Sequence, residues 1–349
     1  MRVSLKFALG MSAALLIASG AEAKKGQLIP IIPYPGATTT TLTGIADDNN
    51  TVVGSYIDSS GVTHGFYGTL DGNYTSFDYD ISGFTQARGI SGDGSVITGF
   101  ANNDGIHCDF EEWTMKGGKP PKAVKKGKTK LAGIAQGIDS KGVFAGDYCD
   151  TGGSGTVFGM LGQKGKWQSK VTTPFTSVYT GERGVNKSGV IVGFYQDQDS
   201  GLQVGTVQQG GTTSAITYPD ATEVYTVFEG LNDKNIASGQ WEDSGGIVHS
   251  FSYDIDKAKF VEIDDPNAAS FTQAWGVNKA GLIAVSSDAG SYVYCTLGNK
   301  CPSIGTKAIT VEVREIHVAP GKFLRYGDAK TSAPKHAALP KLPKGASPL

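Results

Sequence analysis

The sequence contains few of the residues that usually carry catalysis or metal binding, and few charged residues of any kind. Its 349 residues include 5 histidines and 4 cysteines, and Asp, Glu, Lys and Arg together make up 18% of the chain, against about 25% in average proteins. The H-E-x-x-H and C-x-x-C motifs are absent, which excludes the zinc sites built on them. The formal net charge of −2 gives no reason to expect a nucleic-acid partner.

Long hydrophobic runs are also absent after residue 23, so we expect no transmembrane segment in the mature chain. Residues 1–23 are typical of a secretory signal peptide. Arg2 and Lys6 form its charged start, an apolar stretch covers residues 7–18, and Ala21-Glu22-Ala23 fits a cleavage site. The sequence therefore predicts a secreted, periplasmic or cell-surface protein.

The cysteine count is even, which in an exported chain predicts disulfides. Cys295 and Cys301 flank a polar turn and could face each other across a hairpin, which would leave Cys108 and Cys149 to pair. All three connectivities of four cysteines stay open on the sequence alone. A metal site with four thiolate ligands is the rival interpretation, and the spacing disfavours it.

Glycine, in contrast, is abundant. It supplies 49 of the 349 residues, about twice its average share, and each glycine in a helix costs about 1 kcal/mol relative to alanine. The composition therefore argues against a helical protein. Many of these glycines belong to an internal repeat, in which Gly, an aliphatic residue and usually a small polar residue recur every 45–48 residues. The six copies begin at Gly44, Gly89, Gly137, Gly184, Gly230 and Gly276.

A hairpin turn is predicted shortly after the start of each copy. A second glycine stands nine or ten residues after the first in five copies, and Val285 takes its place in the sixth. Four residues earlier, Asn or Gly occurs in five copies, and Ser95, beside Gly94, in the other. Asn and Gly tolerate the positive φ of a tight turn. The predicted turn residues are Asn50, Ser95, Gly142, Gly189, Asn235 and Gly281.

Each copy also contains four β-type runs, which with their connections account for a period of about 46 residues. The chain is therefore predicted to be an all-β, six-bladed β-propeller. The sixth copy breaks off after Cys301, while residues 28–37 and 38–43 resemble the third and fourth runs of the other copies. We therefore expect the last blade to be shared between the amino- and carboxy-terminal segments, which removes the open edges of a linear array.

The predicted domain boundaries follow from this pattern. Residues 1–23 form the signal peptide, residues 24–317 the propeller, and residues 318–349, rich in Pro, Lys and Ala, a disordered tail. Residues 307–314 form a further predicted strand, whose place the pattern leaves open. An extra outer strand on the last blade is one option.

The repeat resembles the HAF-repeat family of exported bacterial proteins. Residues 184–195 (GVNKSGVIVGFY) match the first half of its unit and residues 58–66 (DSSGVTHGF) match the second. The resemblance covers about residues 28–305 and implies an extracytoplasmic β-repeat domain. It implies no reaction.

Repeated aromatic residues are the candidate binding residues. They lie two positions beyond the second glycine, where packing between blades is the ordinary role and stacking against sugar rings is the alternative. These four are Tyr56, Tyr148, Tyr195 and Trp241. His64 and His249 occupy equivalent positions in copies one and five, and we expect them to serve packing or turns rather than metal binding.

Three further features have both a structural and a functional interpretation. The Asp- and Asn-rich segments 47–50 and 196–199 could offer oxygens to calcium, but hairpin turns explain them better. Ser244 resembles a protease nucleophile, but it occupies a loop that the repeat already explains. Residues 116–130 hold seven lysines. We interpret this segment as a solvated loop, and the alternative is a surface that attracts acidic polysaccharide or a membrane.

The predicted function is that of a secreted, monomeric, non-catalytic binding or protein-interaction scaffold, with an extracellular protein or a polysaccharide as its partner. No catalytic residue, metal or cofactor is predicted, with calcium as the weaker alternative. Two other functions stay open. One is a polysaccharide hydrolase or lyase acting at the mouth of the propeller, and the other is a structural protein of the cell surface.

Overall fold

The computed structural model describes residues 25–79, 83–102, 110–149, 156–175, 177–220, 225–296 and 301–318. The predicted signal peptide and all but the first residue of the predicted tail lie outside these ranges. Within them every regular element is a β-strand, and no helix is long and apolar enough to cross a membrane.

The strands form six antiparallel blades, which confirms the predicted six-bladed β-propeller. In chain order they are β1 (Lys25–Pro30), β2 (Thr39–Ile45), β3 (Thr51–Ile57), β4 (Thr63–Thr69), β5 (Tyr74–Phe77), β6 (Thr85–Ile90), β7 (Val96–Asn102), β8 (Phe110–Lys116), β9 (Lys122–Ala123), β10 (Lys125–Lys126), β11 (Thr129–Lys130), β12 (Gly133–Ile138), β13 (Val143–Cys149), β14 (Val157–Gln163), β15 (Lys166–Lys170), β16 (Ser177–Val185), β17 (Ile191–Asp197), β18 (Gln203–Gln209), β19 (Thr212–Ile216), β20 (Thr226–Leu231), β21 (Ile236–Glu242), β22 (Val248–Asp254), β23 (Lys259–Glu262), β24 (Thr272–Val277), β25 (Ile283–Ser287), β26 (Gly290–Thr296), β27 (Ile309–Glu312) and β28 (Glu315–His317).

Four strands pair side by side in each blade. Blade 1 consists of β2–β5, blade 2 of β6–β9, blade 3 of β12–β15, blade 4 of β16–β19, blade 5 of β20–β23, and blade 6 of β24–β26 followed by β1. Blades 3 and 4 share one continuous sheet because a single parallel pair, Val157 with Tyr179, joins them. Isolated parallel bridges such as Thr63 with Phe84 link other neighbouring blades at the equivalent point.

The innermost strands are the most buried, because neighbouring blades cover both of their faces. Every residue of β6 and of β20 is buried, whereas the outer strand β15 is mostly exposed. The apolar core lies between the blades. In one cluster, Val53 of blade 1 packs with Ala87 and Trp113 of blade 2. Each blade buries its apolar faces against its neighbours, so a single repeat is unstable alone.

Blade 6 closes the ring with chain from both ends. Strand β1 pairs with β26, with Leu28 opposite Tyr294, and supplies the outermost of the four strands. This confirms the predicted sharing of the last blade. On the inner side, a Cβ atom on Gly276 of blade 6 would lie 3.2 Å from the Cα of Gly44 in blade 1. The equivalent contact in another pair of neighbours joins Gly89 with Gly137, at 3.2 Å.

The segment after the sixth repeat adds outer strands to two blades. Strand β27 pairs with β1 on the edge of blade 6, which settles the place of the strand predicted at 307–314. Strand β28 then pairs with β23 on the edge of blade 5.

A disulfide between Cys295 and Cys301 ties β26 to the start of this segment, as predicted. Cys149 is also disulfide-bonded, while Cys108 lies outside the described residues.

Positive φ angles mark the predicted hairpin turns. Gly142, Gly189, Asn235 and Gly281 have φ between 59° and 86°, as expected from their places in the repeat. The first copy departs by one position, because the residue with positive φ is Asn49 (62°) rather than Asn50. In the second copy it is Gly94 (72°), the neighbour of Ser95.

Candidate functional site

The four predicted aromatic residues lie in four different blades, each near the end of the second strand. Tyr148, Tyr195 and Trp241 keep 8%, 1% and 5% of their surface exposed, and Tyr56 is half-buried. Three of them stack on a ring that precedes the first strand of the same blade. The centroids are 3.7 Å apart for Tyr34 and Tyr56, 4.5 Å for Phe175 and Tyr195, and 4.3 Å for Tyr218 and Trp241.

A histidine stacks on the other side of two of these aromatic pairs. His64 lies 4.9 Å from Tyr56, and His249 lies 4.5 Å from Trp241, measured between ring centroids. Each histidine also bridges two carboxylates at the rim of its blade. The Nδ1 atom of His249 lies 2.7 Å from Asp264, and its Nε2 atom lies 3.5 Å from Asp243. The corresponding partners of His64 are Asp78 at 2.9 Å and Asp58 at 3.4 Å.

These bridges account for the histidine and the first aspartate of the repeat motif. Oδ1 of Asp243 accepts hydrogen bonds from the backbone N–H groups of Gly245 and Ile247, so this carboxylate also holds the loop that contains Ser244. The hydrogen bond to Asp264 raises the pKa of His249 to about 8 against the opposing effect of burial. The protonated form is therefore favoured at neutral pH.

One group of potential metal ligands includes this histidine. Ligand atoms of His249, Glu262 and Asp264 lie within 4.8 Å of one another. All three are already engaged, since the hydroxyl of Tyr218 donates to Glu262 at 2.6 Å. The raised pKa of His249 also opposes the neutral imidazole that a metal ion needs. The arrangement is that of a hydrogen-bonded network.

A second cluster lies on the propeller axis, and the sequence analysis missed it. Each of the six innermost strands carries an irregularity of register at the repeat glycine, as between Leu42 and Gly44 in β2 or Glu182 and Gly184 in β16. The residue before that glycine varies among the copies, with Arg in two of them and a different residue in each of the other four. We call these six residues the axial layer: Thr43, Arg88, Gln136, Arg183, Glu229 and Trp275.

Contacts between blades that are not neighbours place this layer on the axis. The guanidinium carbon of Arg88 in blade 2 lies 4.6 Å from the ring centroid of Trp275 in blade 6. Arg183 in blade 4 contacts both neighbouring blades, with Nη1 3.1 Å from Asp147 and Nε 3.9 Å from Glu229.

Tyr179 supports the ion pair between Arg183 and Asp147. The hydroxyl of Tyr179 donates to the same carboxylate at 3.0 Å, and burial raises the pKa of Tyr179, so this phenol stays protonated. Arg183 and Asp147 are 1% and 0% exposed. A buried ion pair of this kind costs desolvation free energy and is stable only with close partners.

Two further carboxylates are buried: Glu182, which precedes Arg183 in the chain, and Glu112, which interacts electrostatically with Asp147. Burial raises the pKa of Glu182 to about 8 and that of Glu112 well above its ordinary value. Both are fully buried, and neither oxygen of Glu112 has a hydrogen-bond partner among the described residues. These pKa shifts favour the protonated carboxyl groups at neutral pH.

The lysine-rich segment 116–130 is not a plain loop. Lys122 and Ala123 complete blade 2 as β9, and the hairpin β10–β11 crosses to blade 3, where Lys125 pairs with Lys166 of β15. Two lysine-rich segments thereby meet at one edge. We call seven of their exposed lysines the basic face: Lys122, Lys125, Lys126, Lys128, Lys164, Lys166 and Lys170.

Aromatic rings lie directly beneath this face. Nζ of Lys126 lies 4.4 Å from the ring centroid of Trp167 and 5.3 Å from that of Tyr148, and Nζ of Lys170 lies 3.1 Å from that of Phe158. Among the described residues, no carboxylate lies within 4 Å of any of the seven amino groups. The nearby Lys130 differs, since it pairs with Glu111 at 2.8 Å.

No family model matches the chain, and no curated protein matches it by sequence. Solved structures with a similar course of the chain include AofleA from Arthrobotrys oligospora, at 11% identity and a TM-score of 0.49, covering 84% of this chain and 92% of that one. The fucose-specific lectin from Aleuria aurantia is similar at 12% identity and a TM-score of 0.46, covering 82% of this chain and 97% of the lectin.

A sialidase from Trypanosoma rangeli is similar at 10% identity and a TM-score of 0.44, covering 77% of this chain and 58% of the sialidase. A lectin and a sialidase thus occur at nearly the same level of similarity. The functional conclusion therefore rests on the side chains of this protein.

Proposed function

We propose that the protein is an exported, non-catalytic binding module that attaches to acidic polysaccharide through its basic face. The observation that carries this proposal is the meeting of two lysine-rich segments, from β10 and β15, at one exposed edge. Export is supported by the signal-peptide pattern of residues 1–23. The relationship to HAF-repeat proteins stays a prediction.

The charge distribution supports a polyanionic partner. The chain carries −2 overall and +7 on the basic face, which leaves −9 for the rest. Lysines without a carboxylate partner attract an anionic polymer, and each single contact is weak at a hydrated surface. Binding would therefore depend on several lysines acting together and would weaken as salt increases.

The rings under the lysines favour polysaccharide over a membrane. Trp167 is half-buried beside Lys126, where a sugar ring can contact its free edge while a carboxylate or sulfate meets the lysine. Membrane insertion would require exposed large apolar side chains on this face. Among the described residues those side chains are Val178 and Ile247, and neither belongs to the basic face.

The test compares binding of polygalacturonate with binding of uncharged dextran. Replacing Lys125, Lys126, Lys164 and Lys166 by Gln should weaken polygalacturonate binding roughly thirtyfold, at about 0.5 kcal/mol for each lysine. The matched control replaces four exposed lysines elsewhere, Lys187, Lys234, Lys257 and Lys279, by Gln. It makes the same change in net charge and should leave binding within about twofold of wild type, because long-range attraction is screened.

Three results would contradict the proposal. Equal losses in both quadruple variants would show that only net charge matters. Binding to anionic vesicles but not to polygalacturonate would point to a membrane. Shortening of the polysaccharide chains by the wild-type protein would indicate a hydrolase or lyase.

A further inference from the structure

Arg88 is a buried cation without a hydrogen-bond acceptor among the residues that the structure describes. It is 7% exposed, lies over the rings of Trp275 and Phe100 at 4.6 and 5.2 Å, and its Nε atom has no partner among the described residues. No carboxylate of the described residues lies within 4 Å of its guanidinium group. Burial lowers the pKa of Arg88 to about 10, so the group is still charged at neutral pH.

Arg183 of the same layer is better partnered than Arg88, although its Nε atom also lacks a hydrogen bond among the described residues. It has the carboxylates of Asp147 and Glu229 at 3.1 and 3.9 Å and the hydroxyl of Tyr179 at 3.5 Å. The layer thus holds two buried arginines, and within the described part of the chain only Arg183 has acceptors near its guanidinium group. A guanidinium group offers five N–H donors in a fixed fork. Arg88 therefore requires an acceptor that the described residues do not supply.

Other groups near the axis also lack partners. Gln240 occupies in blade 5 the position that Asp147 occupies in blade 3, and both polar atoms of its fully buried amide are without hydrogen bonds among the described residues. Arg88, Glu229 and Trp275 keep 7%, 8% and 8% of their surface accessible, so the layer is not completely filled by protein atoms. Unsatisfied buried polar groups beside free space are typical of a ligand site.

We propose that the axial layer binds a small sugar acid whose carboxylate pairs with the guanidinium group of Arg88. A carboxylate supplies two oxygens in the geometry of the guanidinium fork. The hydroxyl groups of the sugar would meet the amide of Gln136 in the same layer. This site is separate from the basic face and binds a monomer rather than a polymer.

Isothermal titration calorimetry with galacturonate tests the proposal on the full chain, with galactose as the uncharged probe and sodium chloride as the ionic-strength reference. Galacturonate should bind to the wild type and galactose should not. Arg88→Met should weaken galacturonate binding by about tenfold or more, and Arg88→Lys should recover part of it, because the lysine keeps the charge but not the fork. Arg314→Gln is the matched control, since Arg314 is an exposed arginine that pairs with Asp220 at 2.7 Å.

A spectroscopic measurement on the wild type keeps the test decisive if Arg88→Met does not fold. Galacturonate should shift the Nε–Hε resonance of Arg88 in a 1H–15N spectrum and leave that of Arg314 unchanged. The absence of binding, or equal binding by wild type and Arg88→Met, would overturn the proposal. The quadruple lysine variant of the basic face must still bind galacturonate, so the two proposals can fail independently.

Discussion

At the scale of single residues, the histidine of the repeat motif works as a bridge between an aspartate of one loop and an aspartate at the end of the outer strand. The same arrangement occurs twice, at His64 and His249. In both cases the imidazole also lies flat against an aromatic ring. The predicted role in packing and turns is consistent with these contacts.

The pKa of His249 leads to a prediction about pH. This pKa is raised to about 8 in the folded protein, against about 6.5 in an unfolded chain. The bridge should therefore contribute fully below pH 6.5 and lose its contribution as the pH rises through 8. The loss of unfolding free energy caused by His249→Gln should accordingly be larger at pH 6 than at pH 9, measured by urea denaturation.

The control for this prediction is His317→Gln, which removes an exposed histidine at the end of the described chain. Its effect on the free energy of unfolding should be small at both pH values. An effect of His249→Gln that is equal at pH 6 and pH 9 would show that only the ring stacking matters.

Single residues also show where sequence reasoning ends. Cys295 and Cys301 could be paired from their positions around a short turn, and the disulfide confirms this. The axial residues were missed because the repeat was identified from positions that its copies share, whereas the axial position holds five different residue types in six copies. The signal was present in the residue before each repeat glycine. Its meaning depended on knowing that this position faces the axis.

At the scale of elements, the third residue of the repeat signature is Asn in copies four to six, and there it links a blade to the next one. The Nδ2 atom of Asn232 donates to the backbone carbonyl of Asn278 at 2.8 Å, and that of Asn278 donates to the carbonyl of Ala46 at 2.9 Å. The Oδ1 atom of Asn232 meanwhile accepts from the N–H groups of Lys234 and Ile236 within its own turn. One amide therefore fixes both a hairpin and a blade interface.

Replacing Asn232 by Asp should separate these two functions. The carboxylate keeps both acceptor contacts in the turn, loses the donor, and places a negative charge against the carbonyl of Asn278. We expect a loss of about 1–3 kcal/mol in the free energy of unfolding. Asn267→Asp, the same change at an exposed turn residue, should cost less than about 0.5 kcal/mol. Equal losses in the two variants, measured by urea denaturation, would contradict the stabilising role of the hydrogen bond from Asn232 to the next blade.

Some elements were predictable and others were not. The four runs of each copy and their turns follow from local alternation and from Gly and Asn, because hairpin pairing is a local property. The hairpin β10–β11 and the strand β28 pair with strands distant in sequence, at Lys166 and Lys259. Nothing in their own short sequences indicates those partners.

At the scale of the whole molecule, the repeat and the blade differ in phase by one strand. The sequence repeat begins at the glycine that ends an innermost strand, so its fourth run belongs to the next blade. The offset makes the termini meet in blade 6, where β1 lies between β26 and β27. Closure also creates the axial layer, because the contact between Arg88 and Trp275 joins blades 2 and 6 across the axis.

Closure by β1 is the central claim, and removal of that strand tests it most directly. A chain that begins at Thr39 lacks β1 and the segment that follows it, with the buried side chains of Leu28, Ile29 and Ile31, whose burial is worth roughly 1.5–3 kcal/mol each. The control is a chain that begins at Lys25 and keeps every strand of the ring.

The decisive measurement is thermal unfolding of these two chains, with and without a synthetic peptide of residues 25–36. We expect the chain from Thr39 to melt at a markedly lower temperature than the control and to regain stability when the peptide is added, because the peptide can pair with β26 in place of β1. Equal melting temperatures for the two chains, with no effect of the peptide, would contradict closure of the propeller by its amino-terminal strand.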